Sequence, residues 1–201
     1  MPWREAGVPG SMGCGSAMRT GPIGLYFWND EARLIGVARA SSVLTHRHPT
    51  AQASAAAAAL LVAWAVRGDD PARYPERLSS IMGKMDGGHP VAELVERIPD
   101  VLARHPDEVL CDGVLGESWV GHEAVASALY CVCRSPGNYR QTVITGANTV
   151  GDSDSIACIA GAISGAYNGL DGIPASWRQT VENSAALHDL ASELLRAMPC
   201  R

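Results

Sequence analysis

The sequence predicts an all-α, single-domain helical bundle, and three observations carry that expectation. Apolar residues recur at helical spacing along most of the chain, while sustained strict alternation is hard to find. An alanine-dominated run from Ala51 to Arg67 has the composition with the best intrinsic helix propensity. Near the C-terminus, Leu187, Leu190, Ala191, Leu194, Leu195 and Met198 recur every three or four residues, which places them on one helix face. At 201 residues the chain can bury one sizeable core, and nothing in its composition divides it, so one domain over 1–201 is expected.

Taken in chain order, the alanine run ends at Gly68-Asp69-Asp70-Pro71, where glycine and proline stop a helix. Gln52 and Ser54 interrupt it, and it falls short of what spanning a bilayer demands, so no membrane partner is expected. The stretch from Asp69 to Asp112, with Met82-Gly83-Lys84-Met85-Asp86-Gly87-Gly88-His89-Pro90 inside it, reads as short helices around a flexible surface loop. After Gly121, Val125, Leu129 and Cys133 step by four along a packed helix face, with Ala126 and Tyr130 beside them. Between Asp154 and Asn168, Ala157, Gly161 and Gly165 fall four apart and leave a bare face for a neighbouring helix or a ligand. Glycine there costs helix stability, so some contact must offset it. The C-terminal leucine stripe is expected to be buried.

Apolar residues make up 47% and charged residues 18%, the balance of a globular chain. The net charge of -5, with no run of Lys or Arg, gives no footprint for a nucleic-acid partner. No long apolar run follows Met1-Pro2-Trp3-Arg4-Glu5, so no secretory signal is readable and the cytoplasm is the expected compartment. Cys14, Cys111, Cys131, Cys133, Cys158 and Cys200 lie at irregular spacings without a C-x-x-C pair, which predicts mostly buried thiols rather than zinc ligands.

Four segments offer chemistry. Ser11-Met12-Gly13-Cys14-Gly15-Ser16-Ala17-Met18-Arg19 is a glycine-rich turn whose backbone N–H groups can converge on phosphate oxygens, or else an ordinary tight loop. Gly151-Asp152-Ser153-Asp154-Ser155 puts two carboxylates and a hydroxyl at a loop-to-helix junction. They are hard oxygen ligands suited to magnesium, manganese or calcium, or else an aspartate that only caps the helix. Thr45-His46-Arg47-His48-Pro49 supplies cationic or hydrogen-bonding groups from a loop. Trp119 either stacks on a ligand ring or fills the core.

In this order the segments resemble the ADP-ribosylglycohydrolase family, which includes the dinitrogenase reductase-activating glycohydrolase. The most specific likeness runs from Gly151-Asp152-Ser153-Asp154-Ser155 to Tyr167, followed by Ile173-Pro174 and Trp177. Ser11 to Pro22 resembles the family's glycine-rich Met-Arg loop, Thr45-His46 with Pro49 its next loop, and Trp119 to Arg134 its penultimate signature. The resemblance implies an orthogonal helical bundle with two divalent ions, Mg2+ or Mn2+, in a central cleft. It makes Asp152, Asp154 and Ser155 metal ligands, with the two aspartates catalytic. It places Ser11, Gly13, Cys14, Gly15 and Arg19 around the diphosphate of ADP-ribose, and His46 beside that ligand. Ser155 stands where many members have threonine, and Cys14 where asparagine or another small polar residue is frequent.

The activity so implied is metal-dependent hydrolysis of the glycosidic bond between ADP-ribose and a side chain, arginine in the first instance, or a small ADP-ribosyl compound. The partner is then an ADP-ribosylated protein or that small compound. Family members carry a further Thr-Asp-Asp ligand group ahead of the glycine-rich loop, which here begins about ten residues from Met1. The expectation is therefore an N-terminally truncated family domain with a complementary N-terminal segment as a partner. The alternative function is an ADP-ribose-binding module with impaired catalysis.

Overall fold

In the computed structural model, which describes residues 2–111 and 113–198, the helix Pro49–Val66 is the axis of the molecule. Numbered in chain order, the helices are α1 (Gly15–Met18), α2 (Gly21–Tyr26), α3 (Glu31–Val43), α4 (Pro49–Val66), α5 (Tyr74–Met82), α6 (His89–Glu96) and α7 (Ile98–Val101). They continue with α8 (Pro106–Leu110), α9 (Gly121–Arg134), α10 (Tyr139–Ala147), α11 (Ser153–Gly172), α12 (Ala175–Thr180) and α13 (Ser184–Ala197). No strand occurs among the described residues; two isolated bridges pair Val8 with His46 and Gly13 with Val120.

The local sequence explains why α4 starts and stops where it does. Pro49 sits in its first turn, where a missing N–H costs nothing, and His48 Nδ1 accepts the Thr50 amide at 3.1 Å. Gly68 then takes the left-handed conformation (φ 74°) that ends the helix. Because its side chains are mostly methyl groups, α1, α2, α3, α9 and α11 all pack directly on it. Contrary to the expectation that this run falls short of a membrane span, α4 is long and apolar enough to cross one. Its cover is what makes it a core element, since 83% of it is buried by neighbouring helices.

The face of α11 that carries Gly161 and Gly165 is covered by Tyr139 and Val143 of α10. Of the two occupants the sequence allowed, the structure has the neighbouring helix. The stretch from Asp69 onward corrects a second expectation. Tyr74, Leu78, Met82, Val91, Val95 and Ile98 are all buried, so α5 to α7 contribute a substantial part of the core. The turn between α5 and α6 is packed rather than loose. At Gly87 (φ 75°) a β-carbon would lie 2.3 Å from the Pro49 carbonyl carbon, so only glycine fits.

Two further expectations are corrected. Leu187, Leu190, Ala191, Leu194 and Leu195 of the stripe do lie on α13, with Met198 at its C-cap, but α13 buries none of its residues. Leu187, Leu190 and Leu195 are 52%, 63% and 68% exposed. The physical reason is a change of direction: Gly169 (φ 70°, ψ 179°) interrupts the end of α11, and α12 and α13 then pack chiefly on each other. Tyr26 Oη donates to the Ala197 carbonyl at 3.0 Å, tying the end of α13 back to α2. Among the described cysteines only Cys131 is fully buried; Cys14, Cys111 and Cys133 are partly so and Cys158 is exposed. Cys200 lies outside the described residues.

The Gly68–Pro71 helix stop also anchors an ion network. Glu31 Oε1 accepts from Trp64 Nε1 (2.9 Å), Arg67 Nη2 (2.8 Å) and Arg77 Nη2 (2.6 Å), and Asp69 Oδ2 accepts from Arg77 Nη1 (2.8 Å). The Arg77 guanidinium lies 4.1 Å above the Trp64 ring. Burial alone would raise the Glu31 carboxyl. The hydrogen bonds from Arg67 and Trp64 and the Arg77 and Arg67 charges outweigh it and hold the group below its ordinary value of 4.5. A carboxyl lowered by folding stabilises the native state above its unfolded pKa and loses that contribution as pH falls through the folded value. Stability followed by denaturant melts is therefore expected to drop on the acid side of 4.5. Glu31→Gln is expected to be less stable at neutral pH and to show a flatter acid limb.

Candidate functional site

The glycine-rich loop and the acidic turn lie 138 residues apart in sequence and touch in space: Cys14 Sγ donates to Asp152 Oδ2 at 2.7 Å. The same sulfur is 3.2 Å from Ser155 Oγ, and Ser155 Oγ is 3.1 Å from Met18 Sδ. Residues Ser11 to Arg19 thus form one wall of a site whose opposite wall is the start of α11.

A third segment holds the two walls together. Gly121 N donates to the Met12 carbonyl at 2.8 Å, and Asp152 N donates to the Glu117 carbonyl at 2.9 Å. The chain from Glu117 to Gly121 is therefore a strap across both. Gly151 is required by that contact, because a β-carbon on it would lie 2.1 Å from the Glu117 oxygen. Ser118 takes a left-handed conformation (φ 68°), unusual for a residue with a side chain. Its amide bonds Glu123 Oε2 at 2.9 Å, and its hydroxyl bonds Ser127 at 3.1 Å, which fix it there. The sequence reading missed this strap. Its signal was the need for glycine at position 151, which identifies no partner by itself.

At the acidic turn, Asp152 occupies the N-cap position of α11 without a side-chain capping hydrogen bond. The nearby Ser155 amide donates instead to Asp154 Oδ1, at 2.9 Å. Both aspartates thus stand at the start of α11, where their charges complement the helix dipole. Desolvation would raise the Asp152 carboxyl, but the hydrogen bond donated by the Cys14 thiol, and after it the groups of Ser155, outweigh burial and hold it below the usual range. Burial first, and the Asp152 hydrogen bond second, push the Cys14 thiol up to about 11, so it is protonated at neutral pH. Asp154 is exposed and Ser155 is buried. Among the described residues no three His, Cys, Asp or Glu side chains gather where they could together hold a metal ion. The donors here are an exposed carboxylate, a half-buried one and a buried hydroxyl, hard oxygens of the kind that suits a divalent cation which keeps several waters.

His46 stands over the glycine loop. A β-carbon on Gly13 would lie 3.0 Å from its Nε2, and one on Gly15 would lie 3.5 Å from its Cε1. The backbone beside it is paired to the N-terminal segment, with Val8 N donating to Thr45 O and Arg47 N to Val8 O. Arg19 Nη2 donates to Ser41 O at 2.8 Å and to Thr45 Oγ1 at 2.7 Å, and Thr45 Oγ1 contacts His46 Nδ1 at 2.7 Å. A threonine hydroxyl that accepts from arginine keeps its own proton for Nδ1, which favours the tautomer protonated on Nε2, the nitrogen facing the loop. Burial, and after it the Arg19 charge, lower the His46 pKa below its ordinary value, so the ring is neutral at neutral pH. Arg19 thus supports His46. Of the other segments, His48 caps α4, and Trp119 is 60% exposed with Nε1 bonded to Glu117 Oε2 at 3.2 Å. Exposure rules out the core-filling alternative for Trp119.

A family model described as ADP-ribosylglycohydrolase matches residues 1–201. The chain is 29% identical over 219 residues to ADP-ribosylhydrolase ARH3 of Danio rerio, covering 94% of this chain and 58% of that protein. It is 29% identical over 215 residues to ADP-ribosylhydrolase ARH3 of Homo sapiens, covering 93% and 58%. ADP-ribosylarginine hydrolase Tri1 of Pseudomonas putida (strain GB-1) is 34% identical over 77 residues, 38% of this chain and 20% of that protein. A solved structure described as an ADP-ribosylglycohydrolase-related protein complex matches with a TM-score of 0.79 at 23% identity, over 96% of this chain and 63% of that one, a likeness of fold. The chain spans 58% of the length of the ARH3 relatives it matches.

Proposed function

The chain belongs to the ADP-ribosylglycohydrolase family, and from that premise we propose that the loop Ser11 to Arg19 and the turn Asp152 to Ser155 form the site of a metal-dependent hydrolase. The bond cut is the glycosidic bond between ADP-ribose and a modified side chain. The observation that carries this reading is the contact of Cys14 with Asp152 and Ser155, which puts a phosphate-type glycine loop against a set of hard oxygen donors.

Asp152, Asp154 and Ser155 would hold a Mg2+ or Mn2+ ion; the resemblance implies two ions, and these three oxygens suit one of them. Such an ion lowers the pKa of bound water and stabilises charge as a glycosidic bond breaks. The residues of the chain do the rest. Asp152, its carboxyl held below the usual range, is one of the two carboxylates of the set. The backbone around Gly13 and Gly15 is the proposed contact for a diphosphate, with the neutral His46 ring packed against it as a hydrogen-bond donor through Nε2. Arg19 and Thr45 hold that ring in place. The modified residue is proposed to be arginine, the linkage that the Tri1 relative's name carries.

The test is release of ADP-ribose by the purified chain from arginine-linked and from hydroxyl-linked substrates, with Mg2+ or Mn2+ and after chelation. Cation-dependent release from the arginine-linked substrate is expected, and chelation should stop it. Release from the hydroxyl-linked substrate alone would move the linkage and keep the reaction. Binding of ADP-ribose without release would favour a binding module. Neither binding nor release would end both.

A further inference from the structure

Glu123 lies on neither wall of the site, yet it holds the segment that joins them. It stands in the first turn of α9, and its side chain turns back beneath the preceding loop. Its Oε2 accepts the Ser118 amide at 2.9 Å, and a β-carbon on Gly116 would lie 2.2 Å from its Cδ. A carboxylate in a first helical turn ordinarily complements the dipole or bonds the cap residue. This one bonds an amide outside the helix, ahead of the N-cap Val120. The amide belongs to a completely buried residue at φ 68°, a conformation that a residue with a side chain keeps only where its surroundings over-determine it. The bonds to Glu123 and to Ser127 Oγ do so.

The two ends of the strap are not held alike. Gly121 is the first residue of α9 and stays with that helix; there its amide bonds the Met12 carbonyl, and Val120 beside it pairs with Gly13. Glu117, whose carbonyl accepts the Asp152 amide, lies outside the helix and next to Ser118, so its place depends on how Ser118 is held. Resting on the reading of the acidic turn given above, we propose that Glu123 is a positioning residue for the hydrolysis. By keeping Ser118 in its left-handed conformation it sets the Glu117 carbonyl and, through it, the backbone of Asp152. The glycine loop is held separately, from Gly121.

The experiment follows Glu123→Ala in the full chain by amide hydrogen exchange and by release of ADP-ribose from the arginine-linked substrate with Mg2+. The Asp152 amide should exchange faster by about tenfold or more, while the Gly121 amide changes by less than about threefold. The turnover number should fall by about tenfold or more with KM changed by less than about threefold. A residue that only supported the fold would speed both amides alike. Glu123→Gln keeps an acceptor oxygen and should stay near the parent. Adding Ser118→Gly to Glu123→Ala should restore Asp152 protection and turnover, because glycine takes a positive φ unaided. Ser127→Ala, which removes the other bond to Ser118, is the second variant in case Glu123→Ala does not fold, with the same unequal pattern expected at smaller size. Equal acceleration of both amides, or no change in either, would overturn the positioning role. Unequal exchange with the turnover number unchanged in an active parent would overturn its part in the reaction. Unequal exchange in a parent that releases no ADP-ribose counts against the reading of the site and leaves the hold on Asp152 standing.

Discussion

Replacing Asp152 and Asp154 together by alanine is expected to lower cation-dependent release of ADP-ribose by about 100-fold or more. Changing residues that merely orient metal ligands typically costs ~10–100-fold, and these two are proposed as ligands themselves. Stability should change little. Asp152 is only partly buried and Asp154 is exposed, and the bonds given up are the one from Cys14 to Asp152 and the one from the Ser155 amide to Asp154. Losing two negative charges at a helix N-terminus costs about 0.3–1 kcal/mol each at an exposed site. Single-turnover release and scanning calorimetry on the same preparations check both halves. Asp152→Asn, which keeps the shape of the side chain, should reproduce most of the loss. Release at the parent rate from a folded double variant would remove the acidic turn from the mechanism.

The largest loss of stability is expected from Trp64→Ala. Trp64 is completely buried in the last turn of α4, its Nε1 bonds Glu31, and its ring carries the Arg77 guanidinium. Removing a buried tryptophan costs about 3–5 kcal/mol through lost burial and the cavity left behind. The upper part of that range is expected here, because Glu31 also loses a donor and Arg77 loses its stacking surface. For a chain of this size each kcal/mol lowers the melting temperature by roughly 2–4 °C, so a drop on the order of 10 °C should be seen. Trp64→Phe keeps an aromatic ring and should lose less than half as much. A melting temperature unchanged in Trp64→Ala would contradict the packing of α4 described above.

How much of this was legible beforehand depended on whether the information was local. The helices α4, α9 and α11 were readable because alanine content, four-residue steps and a Gly-x-x-x-Gly-type spacing act within a few turns. The Asp69-Asp70 pair was readable as a helix stop for the same reason, and Asp70 does cap the turn that follows by accepting the Ala72 amide. The meeting of Cys14 with Asp152 was not local, and it was anticipated only through family resemblance. Nothing in the residues from Ser11 to Arg19 encodes a partner far along the chain. The α13 stripe misled in an instructive way. Amphipathicity records that a face gains from being covered; it does not record which element, if any, covers it. The core made by α5 to α7 was undervalued because glycines and a proline in that stretch suggested looseness. Two of those glycines are there for close packing: Gly87 against Pro49 and Gly88 against Met82.

The strap from Glu117 to Gly121 has a kinetic consequence. Its two backbone bonds, one to Met12 and one from Asp152, share a single short run of chain pinned at Ser118. Release of either end leaves the other without its anchor, so the two walls breathe as one unit, and amide protons at Gly121 and Asp152 should exchange with solvent at matched rates. Whatever occupies one wall slows the opening of the other across a distance that no side chain needs to bridge.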